Sequence, residues 1–510
     1  MKLNRSKNTK RSIFWGGMSK IVMLVFPFLV RSVIIKTVGI DYLGLSGLYT
    51  SILEILNLTE LGVGAAIVYS MYKPIAENDT ETICALQNLF KKIYRHIGLV
   101  ILVVGIGILP FLTSLIHGEV PTGANIYLLY LIYLGNTVVG YWLFAYKTSL
   151  LNAYQRYDIV SVVTMILNIL LNVIQIVVLL TFKNFYFYAL VFPIITILIN
   201  FVNAYYANKL FPELQCAGTV SKELKADIKK RVAGLMMSKI AFRARYSLGN
   251  IVVSAFLGIK LVAIYNNYFY IANALTAFLT IIIVSMGAGI GNSIATESVA
   301  KNEKDMEILN FSYLSVSFFC FCFLLCLYQP FMQLWMGQEY MLSDGLMIWF
   351  AFFFLSEKAL SIPGQYYDAS GLWWEGKWKG VIEVSIHLVL ISLMSWQWGI
   401  KGTLVSTVLS MTFVGLPLLC YYLFRYYFKK AFIKFVVKQV VLLLLFSVIG
   451  LGTFYASKYV AGLFDTNPVV NLLVHVSVTL VSSVGLYLIV FGRTKICRNS
   501  IQWCKTRIIR

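Results

Sequence analysis

The sequence predicts an all-α polytopic membrane protein with 14 transmembrane helices, arranged as two six-helix bundles followed by two C-terminal helices. The composition, the long apolar runs and the distribution of basic residues predict this class. Of the 510 residues, 59% are hydrophobic and 13% are charged, whereas soluble chains carry about 25% charged residues. A soluble fold of this composition would lack the polar side chains needed at its surface. Cytosolic enzymes, secreted domains and disordered proteins are therefore excluded.

The spans follow from the lengths of the apolar runs. A helix needs about 20 apolar residues to cross the hydrocarbon core of a bilayer. Fourteen runs meet this requirement, and their lack of alternation excludes barrel strands. The first run is long and contains charges, so it does not resemble a cleavable signal. We place the spans at 13–37, 43–72, 93–116, 126–148, 158–182, 185–208, 232–257, 261–292, 308–333, 342–366, 378–398, 400–427, 432–457 and 468–491.

The basic residues predict the orientation of these spans. With the N-terminus in the cytoplasm, 32 of the 43 Lys and Arg residues lie in cytoplasmic loops, tails or the adjoining span ends, five lie at the opposite side and six lie deeper inside spans. Cytoplasmic loops are enriched in Lys and Arg, so this bias predicts an even number of spans and cytoplasmic termini. It also accounts for the net charge of +21 without nucleic acid as a partner.

A repeat of 219 residues predicts the domain organisation. Met18-Ser19-Lys20 returns as Met237-Ser238-Lys239, and Gly39-Ile40 returns as Gly258-Ile259. Units of six spans both start in the cytoplasm, which is typical of parallel repeats that bind a substrate between them. The predicted domains are an N-terminal bundle at 1–208, a cytoplasmic linker at 209–231, a second bundle at 232–428, and two helices with a basic cytoplasmic tail at 429–510. The charged residues 222–231 predict a short amphipathic helix on the inner membrane surface.

Cationic side chains inside the spans are the candidate binding residues. An ionisable group in hydrocarbon costs about 2.5–3.5 kcal/mol on insertion scales, so it normally faces a wet interior. Lys20 and Arg31 are 11 residues apart, or about 20° around an ideal helix. Lys239 and Arg243 share one face of the seventh span, whereas Arg245 points nearly opposite to Arg243. We interpret these five cations as the lining of a central cavity that binds an anion such as phosphate.

The acidic residues of the spans leave two interpretations open. Glu54, Glu60 and Glu357 are candidates for coupling transport to an H⁺ or Na⁺ gradient. In the alternative, these residues or Glu383 neutralise the cations, which then only hold helices together. Lys358 directly follows Glu357, so we also expect a local pair between these two residues.

The chain lacks the motifs of enzymes and motors. It has no G-x-x-x-x-G-K-[ST] sequence for ATP, no H-E-x-x-H and no G-x-S-x-G. It has four His residues, and none of its eight Cys has a His partner at ligand spacing. We therefore predict no enzymatic activity, no cofactor and no metal site.

Three segments carry a family resemblance. They are GIDYLGLSGLY at 39–49, ELGVGAAI at 60–67 with YKP at 72–74, and LLNAYQR at 150–156. Together they resemble the Wzx-type flippases of the multidrug/oligosaccharidyl-lipid/polysaccharide (MOP) exporter superfamily. The fourteen-helix form of that superfamily, with its MATE-like fold, has the layout predicted above.

The resemblance implies two bundles around a V-shaped lumen with a cationic lining. It implies alternating-access transport of undecaprenyl-diphosphate-linked oligosaccharide repeat units across the bacterial cytoplasmic membrane, for capsule, O-antigen or exopolysaccharide assembly. Lys20, Arg31, Lys239 and Arg243 would occupy the kind of lumen position that binds the diphosphate. Expected partners are this lipid-linked substrate, membrane lipids, a polysaccharide polymerase and glycosyltransferases.

Two other functions remain as alternatives. One is a multidrug or other amphiphile exporter of the same fold, although multidrug members favour acidic lumens and this lumen is predicted to be basic. The other is a membrane-embedded glycosyltransferase or polysaccharide polymerase, which would need larger outer loops for its catalytic surface. By analogy with lipid II flippases, the last two spans would form a groove for a lipid tail.

Overall fold

The computed structural model describes residues 5–60, 62–117, 120–121, 123–214, 216–463 and 467–507, and within helices it leaves undescribed the side chains of 5–10, 12–13, 59, 235, 238–239, 241–243, 284–285, 288 and 504–507. The described residues form eighteen α-helices and no β-strand, which confirms the predicted all-α class. The helices are α1 Arg5–Thr37, α2 Ile40–Leu56, α3 Val63–Glu77, α4 Thr80–Ile108, α5 Ile126–Trp142, α6 Ala145–Ala153, α7 Tyr157–Phe182, α8 Phe185–Leu210, α9 Lys222–Leu257, α10 Ile259–Thr296, α11 Val299–Trp335, α12 Asp344–Ala359, α13 Ser361–Ala369, α14 Lys377–Ser410, α15 Leu416–Leu423, α16 Ile433–Gly462, α17 Pro468–Phe491 and α18 Lys495–Arg507.

The long apolar helices make this a multi-pass membrane protein. In the described part of the chain, ten helices are long and apolar enough to cross a bilayer, or eleven if the bent pair α5 and α6 forms one span. One of the ten, Lys377–Phe428, has 52 residues and includes the predicted spans 378–398 and 400–427. Gly399 interrupts it with φ 59° and ψ −139°. The predicted fourth span is the bent pair, and the predicted second and seventh spans are in neither group, so the count of fourteen stays a prediction.

The prediction of one continuous helix over 43–72 was wrong. The segment contains α2, a 3₁₀ turn at Asn57–Glu60 and then α3. Gly62 precedes α3 with φ 90° and ψ −13°, a left-handed conformation that glycine adopts without steric cost. Apolar residues lie on both sides of Asn57, Thr59 and Glu60, so hydropathy averaged over the segment predicts a single span.

Two further segments differ from the expected boundaries. The predicted span 126–148 is bent by 48° between α5 and α6, where Phe144 has φ 57°. Residues 222–231 do not form a separate surface helix, because α9 continues from Lys222 to Leu257 without a break. The charged segment and the predicted seventh span are therefore one helix.

The chain divides into two compact units, Met1–Ala263 and Ile264–Arg510. In the first unit, α1 packs along α7, and α2 packs against α9. In the second unit, α11 packs against α12, α16 and α17. The Phe318 ring stacks there on Phe446 and Tyr487, at centroid distances of 4.7 and 5.8 Å. The boundaries of the predicted six-helix bundles stay a prediction.

Two glycines that the sequence repeat aligns adopt similar conformations. Gly39 lies between α1 and α2 with φ 101° and ψ 161°. Gly258 lies between α9 and α10 with φ 98° and ψ 159°. A positive φ with extended ψ is almost restricted to glycine. The aligned positions therefore need the same residue type, although the duplication itself stays a prediction.

Candidate functional site

The candidate cations Lys20 and Arg31 lie on one helix, α1. Lys20 is exposed and has no hydrogen-bond or ion-pair partner among the described residues, whereas Arg31 is half-buried. Arg31 interacts electrostatically with the hydroxyl groups of Tyr133 and Tyr188. The Tyr133 hydroxyl also donates to Ser46 Oγ at 2.7 Å. Tyrosine hydroxyl groups of α5 and α8 are therefore electrostatic neighbours of Arg31.

The other three candidate cations lie on α9. The backbone of Lys239 and Arg243 is helical, but their side chains lie outside the described residues, so their predicted direction stays untested. Arg245 is buried in the first unit, with 7% of its surface exposed. A charged side chain this buried needs polar partners, and Arg245 does interact with neighbouring groups.

Glu54 lies where α2 contacts α9. The Ser247 hydroxyl donates to Glu54 Oε2 at 3.0 Å. One turn further along α9, Asn250 Nδ2 donates to Ser51 Oγ at 2.7 Å. Ser51 and Glu54 are three residues apart and share a helix face, so the two bonds form a polar seam along the contact.

Glu60 faces a different set of neighbours. The Tyr94 hydroxyl, on α4, donates to Glu60 Oε1 at 3.0 Å. The Tyr141 hydroxyl, on α5, donates to Asn57 Oδ1 at 3.2 Å. The break between α2 and α3 thus directs Glu60 towards α4, away from the seam that holds Glu54. The two carboxylates therefore accept hydrogen bonds from different helices.

The third candidate carboxylate, Glu357, is paired in the second unit. Its Oε2 lies 3.0 Å from Lys358 Nζ, and the side chains are only 10% and 2% exposed. Lys358 Nζ also donates to Thr276 Oγ1 at 2.8 Å and lies 5.0 Å from the centroid of the Phe354 ring. The predicted local pair is confirmed. The coupling role of Glu357 stays a prediction.

Sequence reasoning missed the partners of these carboxylates. Ser247, Asn250, Tyr94 and Tyr141 are common residue types within apolar helices, and no spacing marks them as partners of an acid. Glu383 is buried on α14, close enough to Gly415 that an added Cβ would lie 2.7 Å from its Oε1. Among the described residues, no group of three or more His, Cys, Asp or Glu side chains could hold a metal ion.

This architecture is similar to that of several solved structures. No protein-family model matches the sequence, and no curated protein matches it. Several solved structures match. The lipid II flippase MurJ, in an inward closed conformation, matches with a TM-score of 0.66 and 15% identity, covering 93% of this chain and 98% of MurJ.

Multidrug transporters of the MATE family also match. A point mutant of the Vibrio cholerae MATE transporter VcmN gives a TM-score of 0.59 and 14% identity, covering 84% of this chain and 98% of VcmN. An inward-facing multidrug resistance MATE transporter of the MOP superfamily gives 0.57 and 14%, covering 81% and 98%. These neighbours are transporters and flippases rather than enzymes. The chain therefore has the fold shared by MurJ and the MATE transporters of the MOP superfamily.

Proposed function

We propose that this protein is a Wzx-type flippase of the bacterial cytoplasmic membrane. It moves undecaprenyl-diphosphate-linked oligosaccharide repeat units across that membrane by alternating access, for capsule, O-antigen or exopolysaccharide assembly. Both termini lie in the cytoplasm, and a polysaccharide polymerase and glycosyltransferases act on the same lipid-linked units.

The cations of α1 are the main support for an anionic substrate. Lys20 is exposed, and Arg31 is half-buried and interacts electrostatically with the hydroxyl groups of Tyr133 and Tyr188. Guanidinium groups bind phosphate oxygens in pairs, and ammonium groups act as mobile point charges. We assign the diphosphate to Lys20 and Arg31, together with the three α9 cations Lys239, Arg243 and Arg245.

The extent of the structural matches supports a lipid-linked substrate. The MurJ match covers 93% of this chain, whereas the two MATE matches cover 81% and 84%. The larger MurJ coverage is the observation that favours a lipid-linked substrate. The similarity to MATE transporters supports the multidrug alternative.

The carboxylates are assigned to ion coupling within this proposal. Glu54 and Glu60 each accept a hydrogen bond from a hydroxyl group, and such a carboxylate can also take up a proton or bind Na⁺. Glu357 already has Lys358 as its cation. A coupling role for Glu357 therefore requires that pair to separate during transport.

A flipping assay in liposomes tests the proposal. The full chain is reconstituted with a fluorescent undecaprenyl-diphosphate oligosaccharide, and the fraction of label in each leaflet is followed over time. Hydrogen bonds to charged groups contribute about 1.5–3 kcal/mol, so Lys20→Ala, Arg31→Ala, Lys239→Ala and Arg243→Ala should each slow flipping about tenfold or more. Arg31→Lys should retain part of the rate because it keeps the charge.

Lys36→Ala is the matched control. Lys36 is an exposed cation on the same helix, where we expect it to reach the outer membrane surface, so its removal should leave the rate unchanged. Wild-type flipping by all four folded variants would show that the assigned cations do not bind the diphosphate. Transport of cationic drugs without flipping would favour the multidrug alternative, and turnover of the lipid-linked sugar within one leaflet would favour an enzyme.

A further inference from the structure

A cavity of about 550 Å³ lies within the second unit, between α11, α16, α17 and α18. Its volume is typical of small-molecule sites. Lys304, Lys438 and Lys495 line it where these helices meet the predicted cytoplasmic boundary, and Phe311 and Leu442 line it further into the predicted spans. The cavity therefore has a basic end at headgroup level and an apolar end in the hydrocarbon.

The basic end carries uncompensated positive charge. Lys438 Nζ forms an ion pair with Glu307 Oε1 at 3.1 Å. Lys304 and Lys495 make no ion pair with any side chain in the described part of the protein. The four charged groups that line the cavity thus leave a formal charge of about +2, which favours an anion.

Two buried amides give a second, independent indication of a ligand. Asn310 and Gln439 line the same cavity and are only 1% and 4% exposed. Asn310 Oδ1 and Gln439 Oε1 accept no hydrogen bond from any described group. Buried polar atoms are normally hydrogen-bonded, so these oxygens need a donor that the described protein does not provide.

We propose that this cavity binds an anionic glycerophospholipid of the cytoplasmic leaflet. Its phosphate contacts Lys304 and Lys495, and its glycerol headgroup lies against the side chains of Gln439 and Asn310. An acyl chain follows α16 past Leu445, an exposed apolar residue. Basic pockets between transmembrane helices on the cytoplasmic side are typical sites for anionic lipid headgroups.

The position of α18 favours a lipid over a soluble anion. This helix follows the last predicted span and packs against α11. Its Lys495 and Arg498 are exposed, Cys497 is buried, and Ile501 is an exposed apolar residue. Such a helix lies in the membrane interface, so it places the basic end among lipid headgroups. This binding requires no transport and does not rest on the proposed function.

Lipid titration of the purified full chain tests the site. Phosphatidylglycerol and phosphatidylcholine are added in parallel at equal concentrations, and bound lipid is counted by native mass spectrometry. A basic residue near a membrane surface contributes about fivefold to anionic lipid binding. The double variant Lys304→Gln and Lys495→Gln should therefore weaken phosphatidylglycerol binding about 25-fold, to the level of phosphatidylcholine. Gln439→Leu should weaken phosphatidylglycerol binding with no change in protein charge.

A second double variant, Lys434→Gln and Arg498→Gln, is the matched control. These residues are exposed on α16 and α18, do not line the cavity and remove the same charge, so phosphatidylglycerol binding should be retained. An equal loss in the control would mean diffuse surface attraction and would overturn the proposal. Equal wild-type affinity for phosphatidylcholine would also overturn it. Displacement of phosphatidylglycerol by millimolar inorganic phosphate would identify a soluble-anion site instead.

Discussion

Replacing Lys358 with methionine should lower the free energy of unfolding by about 3–5 kcal/mol, because removing one partner of a buried ion pair leaves the other charge uncompensated. Lys358 is 2% exposed, and Glu357 would keep a carboxylate that is only 10% exposed. The hydrogen bond to Thr276 would also be lost. Unfolding of the purified protein in mixed micelles with increasing sodium dodecyl sulphate measures the change.

Two comparisons separate the ion pair from a general effect of substitution. The double variant Glu357→Met and Lys358→Met removes both charges and should be much closer to wild type, since apolar replacement of a buried pair is often neutral. Lys301→Met breaks a more exposed pair with Glu297 and should cost less than about 1 kcal/mol. A loss below about 1 kcal/mol for Lys358→Met would mean that the buried pair does not stabilise the unit.

Gly402→Ala should destabilise the second unit by about 3 kcal/mol, at the upper end of the usual range for overpacking. A Cβ at Gly402 would overlap the backbone carbonyl of Met394. Backbone atoms cannot move aside as a flexible side chain can, so the segments on either side of Gly399 would have to separate. The hydrogen bond of 2.9 Å between the Ser395 and Thr403 hydroxyl groups would be lost as well. The same unfolding measurement detects the change.

Gly485→Ala provides the control for this prediction. Gly485 lies inside α17, and no described atom lies within 4 Å of an added Cβ. Alanine in a helix interior is about 0.5–1 kcal/mol more favourable than glycine, so this variant should be slightly more stable than wild type. Equal stability of the Gly402→Ala and Gly485→Ala variants would exclude close packing at Gly402 as a source of stability.

Apolar runs predicted where helices lie because a bilayer requires about 20 apolar residues per span. They did not predict where helices break. Gly62 lies between the apolar residues Leu61 and Val63, and Phe144 adopts φ 57° although phenylalanine does not signal a turn. The continuation of residues 222–231 into α9 was also missed, because their charges suggested a separate surface helix.

The candidate site was predictable only where neighbours in sequence are neighbours in space. Glu357 and Lys358 are adjacent, and their pair was expected. Glu54 and Glu60 lie close together along the chain but accept hydrogen bonds from different helices, and the turn at Asn57–Glu60 lies between them. Their partners come from distant segments, and tertiary packing alone brings these together.

Because α9 is one unbroken helix, its two ends are rigidly connected. With 36 residues, it is about 54 Å long at 1.5 Å per residue. Near its charged start, the Arg231 guanidinium lies 4.5 Å from the centroid of the Tyr69 ring. At the other end, α9 ends at Gly258, which has φ 98°. We therefore expect a tilt imposed on the first turns, by a partner or by a chemical cross-link at the inner surface, to shift Ser247 and its hydrogen bond to Glu54.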